Sequence, residues 1–113
     1  MPDDRSGQRL RVYVSEGLRW QGKPAAQVIV RRAWELGMAG VTVLRGIEGY
    51  GANRRVHASR LVEVDGDLPL IIEAVDHPEA ISRLLAEVEA IVSEGLVTLE
   101  DVAMIQRRRA PAD

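Results

Sequence analysis

At 113 residues, with 46% apolar and 28% charged side chains, the chain has the composition of one folded domain rather than of a disordered polypeptide. Its formal net charge of -2 gives no single-sign field to draw it to nucleic acid or to anionic lipid. There are no cysteines, which excludes disulfides, thiolate nucleophiles and Cys-ligated zinc.

Residues 1–8 are polar, with no apolar run behind them, and are expected to form a disordered tail rather than a signal peptide or a span. A single domain over 9–106 and a basic tail over 107–113 complete the expected organisation, in the cytoplasm and without membrane insertion. From Arg9 to Ser15 the residues alternate: Leu10, Val12 and Val14 share one face and Arg9, Arg11, Tyr13 and Ser15 the other, the pattern of a strand. GLRWQGKP then reads as a loop whose Pro24 suits the first turn of a helix. That helix spans Ala25 to Leu36, with Ala25, Ala26, Ile29, Val30, Ala33 and Leu36 on one stripe and Gly37 as the residue that ends it. Val28 falls among the charged positions and Trp34 at the rim, a pair that reads as a subunit contact.

GVTVLR (Gly40 to Arg45) is a second strand, rich in β-branched residues. After it comes LRGIEGYGANRR, and then a further strand over Ala58 to Val64. The turn Asp65-Gly66-Asp67 leads into LPLIIEAV (Leu68 to Val75), the most apolar strand and so an interior one. Asp76 is expected to cap a helix from Pro78 to about Ser93, with Glu79 completing a capping box. Val102 to Ile105 is expected as a short closing strand before the basic tail. With the insertion set aside, the order is βαββαβ, the ferredoxin-like α+β plan of two helices on one face of an antiparallel sheet. The interior strand carries Leu70 and Ile72 on one face and Ile71 and Val75 on the other. A lone monomer would leave one of these apolar faces bare, which favours self-association.

Gly46, Gly49 and Gly51 do not form the dinucleotide fingerprint, because the spacing is reversed and a strand, not a helix, follows. Two readings stay open. Bare N–H groups and Arg45, Arg54 and Arg55 could hold an anion, or the glycines supply positive φ in a strand connection that arginine keeps soluble. Arg107 and Arg108 in the tail could close over phosphates or serve as solvated terminal charge. His57 and His77 lack a second ligand at metal spacing, and Glu63, Asp65 and Asp67 lack the calcium-loop pattern, so no metal site is assigned. The nucleophile-elbow, Walker and zincin motifs are absent, and an enzyme is the minority reading.

Several segments together resemble the PII-like family catalogued as domain of unknown function 190. They are GKP (Gly22 to Pro24), AGVTVLRGIEGYG (Ala39 to Gly51), DLPLIIEAVD (Asp67 to Asp76) and EGLVTLEDV (Glu94 to Val102). The resemblance implies a homotrimer with sheets inward and helices outward. It implies an adenine nucleotide (AMP, ADP or ATP) as effector in clefts between subunits, and no required cofactor. Gly46 to Arg55 would correspond to the loop that reports occupancy to a transporter or enzyme. Glu94 to Glu100 would fall where PII proteins grip phosphate, and Arg107 to Arg109 would form the tail reaching the same cleft. EGLVTLED departs from that pattern, since it brings acids where PII proteins bring glycines and a lysine. The alternative implied by related trimers is a metal- or ion-stress protein linked to divalent cations or to fluoride transport.

Overall fold

The structure, a computed structural model, describes residues 5–50 and 68–107. The elements in chain order are β1 (Ser6–Ser15), β2 (Arg19–Trp20), β3 (Lys23–Pro24), α1 (Ala25–Glu35), β4 (Val41–Arg45), β5 (Pro69–Asp76), α2 (Pro78–Ile91) and β6 (Leu96–Ala103). Four of the strands form an antiparallel sheet in the order β4-β5-β1-β6. Two helices pack on one of its faces, so the ferredoxin-like plan expected from the sequence is the one found. The strand expected over Ala58 to Val64 lies outside the described residues.

Alternation along β1 and β5 decides which side chains meet the helices. Leu10, Val12 and Val14 of β1 stand opposite Ala74, Ile72 and Leu70 of β5, and all six are buried. Ile29 and Ala33 of α1 and Ile81, Leu84, Val88 and Ile91 of α2 close over them. Arg32 of α1 pairs with Glu87 of α2 and also lies 5.6 Å from the ring centre of Trp20. One arginine thus ties the two helices to each other and to the β2–β3 hairpin.

Several expectations are corrected. Pairing begins at Ser6 rather than Arg9, because β6 runs from Leu96 to Ala103 and offers partners back to Ser6. The closing strand is therefore twice the length read from Val102 to Ile105 and starts earlier. GLRWQGKP is not a plain loop: Arg19–Trp20 and Lys23–Pro24 pair across Gln21 and Gly22, which have φ of 50° and 79°. Positive φ at both central residues makes the tight turn whose twist suits a hairpin. Val28, expected among the charges, is only 8% exposed, since α1 packs on the hairpin as well as on the sheet. Trp34 is 84% exposed and so stands without Val28 beside it on the surface.

Asp76 is the last residue of β5 and not a helix cap; His77 holds that position, and Pro78 opens α2. The alternation of β5 turns the Asp76 carboxylate toward the helices, where it is 8% exposed. Its Oδ2 accepts the Ala39 N–H at 2.9 Å and its Oδ1 the His77 N–H at 2.7 Å. This one side chain satisfies backbone donors at the start of β4 and of α2. Asp76→Ala would remove both part-buried hydrogen bonds to this charged acceptor, and a hydrogen bond to a charged group contributes about 1.5–3 kcal/mol. Urea titration should show a loss of that size; an unchanged midpoint would contradict the role.

Candidate functional site

The glycine-and-arginine segment starts where β4 leaves the sheet. Arg45 is the last residue of that strand and stands opposite Leu70. The next N–H, that of Gly46, donates to the Pro69 carbonyl at 2.7 Å. A Cβ on Gly46 would lie 2.7 Å from Pro69 Cγ, closer than any side chain tolerates, so only glycine lets the chain pass here. Gly49, at φ 146°, faces the same ring. Both glycines thus have a packing role against Pro69, alongside any part in holding an anion. Ile47 between them is 95% exposed.

Arg45 is engaged in a two-pronged ion pair: its Nε lies 3.0 Å from Glu16 Oε2 and its Nη2 3.1 Å from Glu16 Oε1. Glu16 also donates its backbone N–H to the Leu68 carbonyl at 2.8 Å. One residue therefore touches both ends of the segment, Arg45 where the chain leaves the sheet and Leu68 where it returns. Neither Glu16 nor Pro69 stands out in the sequence. Their role follows from the topology, which sets the end of β1 beside the ends of β4 and β5.

Of the other residues expected at the site, Gly51, Arg54, Arg55 and Arg108 lie outside the described residues. Arg107 is exposed beyond β6. It is not near Arg45 in one chain. Ala103 at the end of β6 pairs with Ser6, whereas Leu70, the partner of Arg45, pairs with Val14. Those positions on β1 are about 26 Å apart at ~3.3 Å per residue. β4 and β6 are also opposite edges of the sheet. The stretch from Ala103 to Arg107 spans about 14 Å at most. Arg45 and Arg107 occupy diagonal corners, and within one chain their charges do not meet.

The turn between α2 and β6 lies at the same end of the sheet as Arg45, because Leu96 pairs with Tyr13. A surface hollow of about 460 Å³ opens there, with Val88, Val92 and Val97 in its wall and Glu89 and Glu94 among its lining. Two carboxylates and the negative end of a helix that has no basic residue in its last turn disfavour a phosphate at that spot. The departure seen in EGLVTLED is therefore a physical one, and charge for an anionic ligand has to come from arginine elsewhere.

On the sheet face away from the helices Leu44 and Leu96 are exposed and Tyr13 and Ile71 half-buried. Leu44, Ile71, Tyr13 and Leu96 stand side by side across all four strands in a single apolar row. Beside it, Arg11 Nε donates to Glu73 Oε2 at 2.7 Å, and Arg9 pairs with Glu100. The hydrogen bond it donates to Glu73 holds the Arg11 guanidinium above its ordinary pKa. Charge on this face is neutralised in pairs between strands, leaving the apolar row as its dominant surface. Among the described residues no helix is long and apolar enough to cross a membrane.

The model of the family DUF190, described as Uncharacterized ACR, matches residues 7–104. A UPF0166 protein of Aquifex aeolicus (strain VF5) is 38% identical over 96 residues, which are 85% of this chain and 90% of that protein. Among solved structures the chain is similar to CPII, a nitrogen regulatory PII-like protein from Thiomonas intermedia K12. The form bound to ADP and bicarbonate matches with a TM-score of 0.60 at 19% identity, covering 88% of each chain. The form bound to ADP, AMP and acetate matches with a TM-score of 0.58 at 18% identity, covering 89% of this chain and 90% of that one. At such identity the likeness is one of fold.

Proposed function

We propose that this chain, which belongs to the DUF190 family and has a PII-like fold, is a regulatory protein that binds an adenine nucleotide between subunits of a homotrimer. The observation that carries the reading is the fold shared along nearly the whole chain with CPII, a protein solved with ADP and bicarbonate. Two features of the chain itself support it. The apolar row across the sheet, exposed at Leu44 and Leu96, is a surface that sheets turned inward in an assembly would cover. Arg45 and Arg107 lie at opposite corners of the sheet, so in this reading it is a neighbouring chain that brings the second charge to the first.

In this reading Arg45 and the N–H of Gly49, with Gly51, Arg54 and Arg55 further along and Arg107 and Arg108 from a neighbouring tail, hold the phosphates by charge-assisted bonds, while Gly46, whose N–H is taken by the Pro69 carbonyl, lets the chain pass. The effector favours the arrangement that makes those bonds, and the segment beginning at Gly46 presents that arrangement to a target, a transporter or an enzyme. The protein itself carries out no reaction. Its place of action is the cytoplasm. Isothermal titration of the full chain with AMP, ADP and ATP tests the reading. Saturable heat with at least one nucleotide is expected, and no heat with any of them would overturn it.

A further inference from the structure

We propose that Glu16 is a built-in competitor for the anionic effector: its carboxylate holds the Arg45 guanidinium that the effector must take. The inference rests on the functional reading above and adds a regulatory contact to the same site. Its basis is the geometry at the foot of the glycine segment. Glu16 meets Arg45 edge to edge, with both carboxylate oxygens engaged at 3.0 and 3.1 Å. That is the arrangement in which arginine also recognises a phosphate or a free carboxylate. An anion arriving at this edge of Arg45 meets a position already filled by one.

The pair is placed to be exchanged rather than to hold the fold. The Arg45 side chain is 54% exposed and that of Glu16 28%, so water screens their attraction and a ligand has access. The two backbone bonds at this junction, Gly46 to Pro69 and Glu16 to Leu68, are independent of the side chains and keep the chain's path when the pair opens. Occupancy is therefore coupled to a local choice: Arg45 on Glu16, or Arg45 on the effector with the Glu16 carboxylate released beside the start of the segment. Displacement lowers apparent affinity, and its structural consequence is at the Arg45 end of the segment, where the Glu16 carboxylate is released.

The test titrates AMP, ADP and ATP into the full chain and into Glu16→Gln, which keeps the length of the side chain and the backbone bond to Leu68. Freed of an exposed ion pair, the variant is expected to bind about two- to fivefold more tightly. On an Arg45→Ala background the same substitution should bring no gain, as a double-mutant cycle requires of directly coupled residues. Glu16→Asp, which retains the charge, should not reproduce the full gain. Equal or weaker binding by Glu16→Gln overturns the inference and leaves the functional reading standing, as does a gain that persists without Arg45. Absence of heat from both the parent chain and Glu16→Gln removes the reading and the inference together.

Discussion

Replacing Ile71 by aspartate is expected to divide the proposed trimer into folded single chains. Ile71 sits on the face of β5 turned away from the helices, opposite Leu44 on one side and Tyr13 on the other. It is thus at the middle of the apolar row that the proposed trimer covers. Removing a buried isoleucine forfeits about 1.5–3 kcal/mol of apolar burial. Enclosing an unpaired carboxylate in its place costs several kcal/mol more. Both penalties recur in every copy, so association should weaken by roughly a thousandfold or more. The core on the other face is untouched, because Leu70 and Ile72, not Ile71, point into it. Sedimentation velocity should show a single-chain species whose far-UV circular dichroism matches the parent. An unaltered sedimentation coefficient would contradict the placement of the interface on this face.

Leu84→Ala is expected to be the most damaging conservative change to the fold itself. Leu84 is fully buried, at 0% exposure, on the stripe of α2 that also carries Ile81 and Val88. Truncating a buried leucine removes its transfer energy and leaves a cavity, together about 2–5 kcal/mol. Against a typical domain stability of about 5–15 kcal/mol, that is a large fraction. At equal protein concentration the melting temperature should fall by roughly 10 °C or more. The helix propensity of alanine works in the opposite direction by only a few tenths of a kcal/mol. A shift of a degree or two would mean that Leu84 is not at the centre of the packing.

What the sequence made legible follows the strength of each periodic signal. β1 and β5 are long and alternate cleanly, so their two faces are read correctly residue by residue. The apolar stripe of α2 is likewise clear; that of α1 is read in part, since Leu36 is exposed and Val28 buried, and Gly37 takes the positive φ expected just past the end of α1. The features that escape detection are those decided by contacts between elements. The β2–β3 hairpin has strands of two residues each and opens its turn with Gln21, too little pattern to be seen. β6 is an edge strand, largely exposed, whose apolar residues do not alternate; only its pairing with β1 defines its length. Asp76 followed by Pro78 and Glu79 imitates a capping box, yet the end of β5 extends through Asp76 and turns its carboxylate inward.

The candidate site was legible in the same uneven way. Arg45, Gly46 and Gly49 are singled out by their spacing, but the reason glycine is required at 46 is the ring of Pro69, far along the chain. Glu16 carries no motif at all, and its meeting with Arg45 is a product of the fold. The separation of Arg45 from Arg107 likewise depends on strand register, which no local pattern contains.

Native mass spectrometry of the full chain, recorded with and without ADP, addresses the central claim most directly because it reads assembly and occupancy in one spectrum. Three chains per particle are expected, with ADP adding in steps up to three per particle. A single chain that takes up no nucleotide would contradict the account, as would a three-chain particle on which neither ADP nor, added in its place, AMP or ATP ever appears.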